Sequence, residues 1–383
     1  MTIDVALVGG GLANLLVAWR LADRRPDSTF LLLEQGPAVG GNHTWSYHGT
    51  DLDPACRDWV GSLARASWPE SEVRFPAFAR QLSGSYHSID SADLAGRATA
   101  RFGDRIRVST AARRITPQAV ELADGSVITA GAVIDGRGWN PAIPMAIGYQ
   151  RFFGLELRLT VPHGLTAPLL MDATVPQDGG YRFIYVLPFS PDVVLIEDTV
   201  YGNEPAHDET LSRRAIERYL SSRGWIVASE LRRERGALPI PLAGRYPDLA
   251  AGHEPGVPTI GVRAGLIHST TGYSLPYAAR MADLIATAPV LTSAALHPVL
   301  TAVARTTFER QHFLRMLNRL LFRAAEPAER YRVLQKFYQL PEPTIARFYA
   351  DRLTLMDKAR LLTGRPPVPI RRAIGCVLER TDS

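Results

Sequence analysis

The sequence predicts an α/β fold in which a parallel-sheet domain is interrupted by a second, β-rich unit and followed by a helical region. At the start of the chain, an apolar strand at 3–8 leads through a glycine turn into a helical pattern at 12–22 and a second apolar strand at 30–34. A strand, a turn, a helix and a strand in this order open a parallel α/β sheet. Partly alternating apolar positions at 152–161 and 181–187 indicate a separate sheet.

The later elements extend this plan in chain order. A strand at 127–135 closes a mixed region in which turn residues recur. A short apolar run at 193–196 adds a strand to the β-rich unit. The chain then returns to a strand with glycines at 258–265 and to a helical pattern at 276–288. Beyond residue 296 the pattern is helical almost throughout, and prolines interrupt it.

The composition excludes several classes of protein. A hydrophobic fraction of 46% and a charged fraction of 21% are typical of a folded soluble chain. The sequence contains no run of about 18 apolar residues, which is the length expected of a membrane-spanning helix. The N-terminus lacks the pattern of a secretory signal, so we expect a cytoplasmic protein. Cys56 and Cys376 are the only cysteines, so we expect neither a disulfide framework nor a metal site.

The basic residues are concentrated in the last part of the chain. From residue 301 onward there are 16 Lys plus Arg against 8 Asp plus Glu, whereas the rest has 27 against 30. Such a basic end is typical of contact with anionic lipid or nucleic acid, and a solvated helical surface explains it equally well. Apolar residues alternate there with arginines, which predicts an amphipathic surface helix unless the leucines pack on the body of the protein. The positions are Phe313, Arg315, Leu317, Arg319, Leu320, Leu321 and Arg323.

The first turn carries a dinucleotide-binding signature. Gly9 and Gly11 occupy the two positions that allow a tight turn and a close approach of the backbone to a pyrophosphate, which would lie at the positive end of the helix. Asn14 stands where a third glycine is usual. Glu34 follows 20 residues later, at the end of the second strand, where a carboxylate can accept from ribose hydroxyls. The alternative is a turn that uses glycine only for its conformation.

Two later segments favour FAD over NAD. The strand at 127–135 ends in Asp135, which is followed by two glycines, and Gly261 and Gly265 frame a similar segment before the next helix. Nicotinamide enzymes need only the first site, whereas flavoproteins of this architecture bring further strand ends to the cofactor. We therefore predict a Rossmann-like FAD-binding domain with an inserted β-sheet substrate domain and a C-terminal helical region.

We place the domain boundaries accordingly. The FAD-binding domain takes residues 1–75, 76–140 and 256–290, the β-rich substrate-binding domain takes 141–255, and the basic helical region takes 291–383.

Four stretches together resemble the bacterial lycopene cyclases, an FAD-dependent family of carotenoid cyclases. Ordinary flavin oxidoreductases share only the first of them. Ser269 departs from the family pattern, because proline often stands there. The stretches are Leu7-Val8-Gly9-Gly10-Gly11-Leu12-Ala13-Asn14, Gly40-Gly41-Asn42-His43-Thr44-Trp45-Ser46, Leu195-Ile196-Glu197-Asp198-Thr199 and His268-Ser269-Thr270-Thr271-Gly272-Tyr273-Ser274-Leu275-Pro276.

The resemblance implies an isomerase that binds lycopene or a related acyclic carotenoid and forms β-ionone rings, giving β-carotene by way of γ-carotene. It implies reduced FAD that is not consumed, NAD(P)H as the electron source, and peripheral association with the inner face of the cytoplasmic membrane. It adds Gly41, Thr271 and Gly272 to the expected cofactor-binding residues and implies no nucleic-acid partner. It leaves open the oligomeric state and whether one or both ends of the substrate are cyclised.

The chemistry of ring closure needs a neutral acid, a base, stabilisation of a cation and exclusion of water. Glu197 follows an apolar run, and burial there would raise its pKa so that it stays protonated. Strand alternation puts Glu197 and Thr199 on one face and Ile196 and Asp198 on the other, so only one of the two carboxylates in the acidic motif should face the substrate. The family's acidic motif makes both Glu197 and Asp198 candidate catalytic residues. Two alternatives stay open: Glu197 could form a structural ion pair with an arginine, and the reduced flavin could supply the first proton.

Several further side chains are candidates for supporting roles. Trp45, Tyr185 and Tyr273 could stabilise a cation through their ring faces, or could be plain core. His43 and His268 lie in glycine-rich loops, where we expect hydrogen bonds rather than proton transfer. Two other functions remain open at this point: a redox flavoenzyme acting on a prenyl lipid, such as a reductase or a hydroxylase, and a non-catalytic prenyl-lipid carrier.

Overall fold

The chain forms two β-sheets, with helices packed on both and a helical layer at the C-terminal end. The computed structural model describes residues 3–206, 208–363 and 368–378. The strands are β1 (Ile3–Val8), β2 (Phe30–Leu33), β3 (Thr44–His48), β4 (Ala66–Phe75), β5 (Phe78–Asp90), β6 (Ile106–Arg107), β7 (Ala112–Thr116), β8 (Ala119–Leu122), β9 (Val127–Asp135), β10 (Ala146–Leu159), β11 (Leu169–Asp172), β12 (Tyr181–Ser190), β13 (Val193–Gly202) and β14 (Val227–Ala243). The helices are α1 (Leu12–Arg24), α2 (Pro54–Gly61), α3 (Ser91–Phe102), α4 (Glu209–Arg223), α5 (Tyr246–Ala250), α6 (Leu275–Thr287), α7 (Ser293–Arg310), α8 (His312–Arg319), α9 (Tyr331–Tyr338), α10 (Glu342–Tyr349), α11 (Leu355–Leu362) and α12 (Ile370–Leu378).

The first sheet has the strand order β6-β2-β1-β9-β8-β7. Its first four strands are parallel, with Val5 of β1 opposite Phe30 of β2 and Ala132 of β9. Leu15 and Leu16 of α1 are fully buried in the same apolar core as β1 and α6. The parallel α/β opening that the sequence predicts is therefore confirmed, and the prediction of a strand at 127–135 matches β9.

The second sheet has the order β14-β10-β13-β12-β11-β4-β5-β3. Its central strands bury both faces. Val194 and Ile196 of β13 pack with α4, while Leu195 and Tyr201 face the apolar core formed with the C-terminal helices. This sandwich of helix, sheet and helix explains why the run from 193 reads as continuously apolar.

Strands β3, β4 and β5 belong to this second sheet, which differs from the boundaries 1–75 and 76–140 predicted for the FAD-binding domain. Strand β4 pairs in parallel with β11, with Glu72 opposite Leu169, and β5 pairs antiparallel with both β4 and β3. Such pairings join residues that are distant in sequence, and periodicity within one segment does not report them. The chain therefore crosses from the first sheet to the second immediately after residue 43.

The C-terminal helices cover the second sheet, and their first part is buried. Phe313 and Leu321 are 7% and 4% exposed, and Arg315 and Arg319 are each 3% exposed. Arg319 donates to the carbonyl of Leu242, and Arg315 donates to the carbonyl of Phe308. The prediction of an amphipathic surface helix at 313–323 is therefore wrong, because Arg315 and Arg319 bond to backbone carbonyls inside the protein and the apolar side chains of Phe313 and Leu321 are buried.

Within the described residues, no helix is both long and apolar enough to span a membrane. The same part of the chain contains no cluster of three or more His, Cys, Asp or Glu side chains placed to hold a metal ion.

Candidate active site

Two adjoining cavities lie between the sheets. The first, which we call the nucleotide cavity, has a volume of about 320 Å³ and lies at the glycine turn after β1. The second, which we call the inner cavity, has a volume of about 330 Å³ and reaches into the second sheet. Five residues line both cavities, so the two spaces adjoin. These shared residues are His43, Trp45, Gly138, Val262 and Ser274.

The nucleotide cavity is shaped by glycines that leave no room for side chains. Gly9 has φ +97°, and a Cβ atom there would lie 2.8 Å from the carbonyl oxygen of Gly136. A Cβ atom at Gly10 would lie 2.7 Å from Val39, whereas Gly11 borders open space. Helix α1 begins at Leu12, which lines the cavity, and no side chain caps this end of the helix. The positive end of the helix dipole therefore faces the cavity. This end of the cavity can accept a pyrophosphate.

Glu34 also lines the nucleotide cavity, at the end of β2. One carboxylate oxygen accepts from the backbone N–H of Gly10 and the other from that of Gly36, both at 2.6 Å. These bonds fix the carboxylate beside the glycine turn. Gly41 and Gly261, with φ +68° and +65°, line the same cavity, so residues from three distant segments meet there.

Three predicted cofactor residues lie behind the cavity walls. Asn14 is fully buried, and its amide donates to the carbonyls of Val8 and Gly9 at 2.9 and 2.8 Å, which holds the turn. Asp135 is fully buried and forms ion pairs with Arg137 and Arg263 at 2.9 and 2.7 Å.

Gly265, the third of these residues, ends a helical turn, and a Cβ atom there would lie 2.5 Å from Leu249. All three therefore support the walls without lining them. Thr271 and Gly272 line the inner cavity instead.

The inner cavity has an aromatic wall and one acidic side chain. Glu197 of β13 projects into it, and its Oε1 accepts from the hydroxyl of Thr199 at 2.6 Å. Aromatic side chains from the second sheet, from two loops and from α10 surround it. They are Trp45, Trp139, Phe152, Phe183, Tyr185, Tyr201, Tyr273 and Tyr349.

A second glutamate lies directly beside Glu197. Gly154 of β10 stands opposite Glu197 of β13 on one side and opposite Glu234 of β14 on the other. A Cβ atom at Gly154 would lie 2.9 Å from Cγ of Glu234 and 3.4 Å from Cβ of Glu197. The missing side chain therefore lets the two carboxyl groups on the flanking strands lie close together, and each shifts the pKa of the other.

The environment of this pair decides which member holds a proton. Burial raises the pKa of Glu197 well above its ordinary value, and the neighbouring Glu234 raises it further. Burial also raises the pKa of Glu234. Arg232 and the hydroxyl of Thr44 donate to Oε2 of Glu234 at 2.9 and 2.8 Å, and both lower this pKa. Because cationic and hydroxyl donors surround Glu234, its pKa is raised less than that of Glu197.

One buried atom supports this assignment. Oε1 of Glu234 is buried and has no hydrogen-bond donor among the described residues unless the neighbouring carboxyl group is protonated. A proton on Glu197 supplies that donor. Arg232 in turn bridges Glu234 to Glu156 and Asp90 at 3.1 and 3.0 Å, so the ionised member of the pair is held in a buried network of charges.

Asp198 lies on the other face of β13, as strand alternation predicts. It is fully buried and forms a bidentate pair with Arg182 at 2.9 and 3.1 Å, and it also accepts from Ser212. It does not line the inner cavity. The structure therefore separates the two acidic residues of the motif, with Glu197 at the cavity and Asp198 in an ion pair beneath α4.

The tyrosine hydroxyls around the inner cavity bond to each other. The hydroxyl of Tyr86 lies 2.8 Å from that of Tyr273 and 2.9 Å from that of Tyr185, which donates to Ser46 at 2.8 Å. Burial raises the pKa of all three tyrosines well above the ordinary value, so they are neutral. Because their hydroxyls are engaged with each other, Tyr185 and Tyr273 present mainly apolar ring surface to the cavity.

The two histidines differ in position. His43 lies where the two cavities meet, and burial, with the charge of Arg232 adding to it, lowers its pKa. His268 is fully buried outside both cavities, where its Nε2 lies 2.8 Å from the carbonyl of Phe348 and its Nδ1 accepts from the N–H of Thr271. His268 therefore shapes the loop that carries Thr271 and Gly272.

Sequence reasoning missed Glu234. It lies in a segment of alternating charges that reads as an exposed strand, and β14 is mostly exposed before it. The sequence feature that could have indicated this residue was Gly154, because a glycine inside a strand marks a position where another group approaches the backbone closely. The identity of the approaching groups depends on the register of three strands.

Comparison with known proteins adds the family. A model described as lycopene cyclase protein matches residues 4–374. The chain is 50% identical to a lycopene beta-cyclase of Pseudescherichia vulneris over 370 residues, which covers 97% of this chain and 96% of that one. It is 45% identical to a lycopene beta-cyclase of Pantoea ananas over 375 residues, 98% of each chain. Among solved structures, the flavin-dependent brominase Bmp2 shares the fold with a TM-score of 0.60 at 12% identity, covering 92% of this chain and 94% of that one.

Proposed function

The chain belongs to the lycopene cyclase family and cyclises lycopene, and we propose that Glu197 delivers the proton that starts ring closure. The observation that carries this proposal is the buried pair of Glu197 and Glu234 at the wall of the inner cavity. The pair holds a neutral acid where an apolar end group can enter.

The reaction is an isomerisation. A proton adds to the terminal trisubstituted alkene, the next double bond attacks the resulting tertiary cation and closes the ring, and the ring then loses one proton. One proton enters and one leaves, so no net oxidation occurs. The site must keep its acid neutral at neutral pH, stabilise a cation and exclude water.

The glutamate pair meets the first requirement. Burial and Glu234 keep Glu197 protonated, and the same repulsion destabilises two adjacent carboxylates after the proton has moved. The carboxylate of Glu197 is therefore ready to take a proton back when the ring loses one. Glu234 acts through Glu197, so we assign it a positioning role.

The aromatic wall meets the second and third requirements. The ring faces of Trp45, Tyr185 and Tyr273 would each stabilise a cation by about 0.5 to 2 kcal/mol. Their apolar surroundings exclude water, and the hydroxyls of Tyr185 and Tyr273 are engaged with Tyr86 rather than free to trap the cation.

The nucleotide cavity fits FAD. The glycine cradle and the uncapped helix end suit the pyrophosphate, and Glu34 stands where ribose hydroxyls would lie. In its reduced form the cofactor would supply negative charge that stabilises a cation in the adjoining cavity. Gly9, Gly11, Gly41 and Gly261 would hold it. We take NAD(P)H as the electron source, and because ring closure is not a redox reaction, none is consumed per ring.

We further propose that the protein contacts a membrane through α11, because its substrate is a lipid. Leu355 and Met356 are 84% and 63% exposed at the start of this helix, and Leu362 is 52% exposed at its end. Arg352 and Arg360 are exposed beside them. Exposed apolar residues flanked by arginines suit an anionic lipid surface. We therefore assign the membrane contact to α11 instead of to the segment at 313–323.

Product analysis tests the function. Purified protein is incubated with lycopene, FAD and NADPH, in one set of reactions without oxygen and in a second set with oxygen. The carotenoids are then separated, and their masses are measured by mass spectrometry. We expect ring-containing products with the mass of lycopene. A gain of two hydrogens or of one oxygen would instead identify a redox enzyme, and an unchanged substrate would favour a carrier.

A further inference from the structure

A third cavity of about 490 Å³ lies on the far side of the inner cavity, between β3, β5 and α10. We call it the outer cavity. It does not share residues with the nucleotide cavity. Its lining comes from α2, the β3–α2 connection, β5 and one face of α10. Tyr47 and His48 of β3 complete the lining.

Two elements join the outer cavity to the inner one. Strand β3 lines the inner cavity with Thr44, Trp45 and Ser46 and continues into the outer cavity with Tyr47 and His48. The two spaces therefore follow one another along a single strand.

Tyr349 of α10 is the second connection, because it lines both cavities. Its ring centroid lies 4.5 Å from that of His48, and its hydroxyl lies 2.5 Å from that of Tyr338. Tyr349 therefore borders both spaces.

The size of the inner cavity makes a second space necessary. Its volume of about 330 Å³ is near the lower end of the range for pockets that enclose a drug-sized ligand, roughly 300 to 1,000 Å³. Lycopene is a long, stiff, conjugated chain. When one end lies beside Glu197, the rest of the chain must leave the inner cavity through another opening.

The lining of the outer cavity suits a polyene. Leu82, Ile345 and Tyr47 are 5%, 3% and 1% exposed and form apolar walls. His48 and His87 carry no charge at neutral pH, because burial lowers the pKa of both, that of His48 to about 4.

The charged groups of the lining are engaged elsewhere or lie at its edge. Glu342 pairs with Arg80 at 3.3 Å and accepts from the N–H of Ser83 at 3.2 Å. Arg57 is exposed. A hydrocarbon chain in the outer cavity would therefore displace water from apolar surface without burying an unpaired charge.

We propose that the outer cavity binds the part of the linear carotenoid that extends away from the reacting end, with Tyr349 as the residue it passes. This proposal rests on the proposed function, because it assigns a second subsite to the same substrate. It predicts that filling the outer cavity impairs the use of long substrates specifically.

The test fills the cavity from its helical wall. Ala346→Phe adds a ring on the face of α10 that lines the cavity, and Ala302→Phe is the matched control, because Ala302 is an exposed helical alanine on α7. Gly61→Phe is a second filling variant from another element, since a Cβ atom there meets nothing within 4 Å. Thermal unfolding and FAD binding are measured for each variant to establish that it is folded.

Steady-state kinetics are then compared for lycopene and for a shorter acyclic polyene with the same end group. We expect kcat/KM for lycopene to fall at least about tenfold in either folded filling variant, mainly through KM, and to stay unchanged in Ala302→Phe. We expect the shorter substrate to be used equally by all variants.

Two results would overturn the subsite. One is equal use of lycopene by the control and a folded filling variant, and the other is an equal loss for both substrates. Failure of the wild-type protein to cyclise either substrate would instead overturn the proposed function, so the two failures are distinguishable.

Discussion

Replacing Glu197 with glutamine should abolish cyclisation while leaving the protein folded. Glutamine keeps the shape of the side chain and its contact with Thr199, but it cannot deliver a proton to an alkene. Loss of a general acid lowers the rate about 100- to 10,000-fold. This corresponds to about 3 to 5 kcal/mol in the activation barrier. The loss should appear in kcat, because the apolar contacts that bind the substrate remain.

The stability of this variant, unlike its activity, should not fall. The pKa of Glu197 is higher in the folded protein than in the unfolded chain, where it is about 4.3. The wild-type protein therefore loses stability as the pH rises from the unfolded pKa toward the folded pKa, because only the unfolded chain gains the charge. Glu197→Gln removes this dependence. We expect it to be at least as stable as the wild type at neutral pH in urea unfolding.

Asp198→Asn is the matched control on the adjacent residue. It breaks a buried ion pair with Arg182, which destabilises a protein by about 3 to 5 kcal/mol, but it leaves the inner cavity unchanged. Turnover per folded molecule should stay close to that of the wild type. If Glu197→Gln kept more than about a tenth of wild-type turnover, a barrier change under about 1.4 kcal/mol, the proton would have to come from another group.

Three further predictions follow from the glutamate pair and the membrane surface. Glu234→Gln should lower the pKa of Glu197 by removing a like charge, so the pH profile of kcat should shift to lower pH, and an unshifted profile would contradict the pairing. Gly154→Ala should reduce kcat because its Cβ atom would lie 2.9 Å from Glu234, whereas wild-type kcat in this folded variant would show that the close approach is not needed. Leu355→Glu with Met356→Glu should reduce flotation with anionic liposomes without changing the melting temperature, and undiminished flotation would exclude α11 as the docking surface.

Local patterns in the sequence were sufficient for the glycine turn, for Glu34 and for one acidic residue, but not for the predicted cofactor residues that lie outside the nucleotide cavity. The turn after β1 and the placement of Glu34 depend on neighbours within one βαβ unit, so residue types and spacing report them. The opposite orientation of Glu197 and Asp198 follows from strand alternation alone. These features are determined by short stretches of chain, and the structure has them where the sequence places them.

Features that depend on long-range contacts could not be predicted in this way. The partner of Glu197 is set by the register of β14 on β10, across Gly154. The burial of Arg319 depends on the carbonyl group of Leu242, which lies elsewhere in the fold, so the sequence around Arg319 reads as a surface helix. In each case, residues distant in sequence provide the contacts that decide the outcome.

Infrared spectroscopy of the carboxyl groups tests the central claim most directly, because it detects a protonated carboxyl group without turnover. At neutral pH the wild-type protein should show the carbonyl band of a buried neutral carboxylic acid, with a shift in D2O. The band of Glu197 should persist in Asp198→Asn and be absent from Glu197→Gln. The difference between these two variants separates it from any band of Asp51, whose pKa burial raises to about 7. A wild-type protein without this band at neutral pH, or a Glu197→Gln variant that retains it unchanged, would contradict the assignment of Glu197 as the protonated acid.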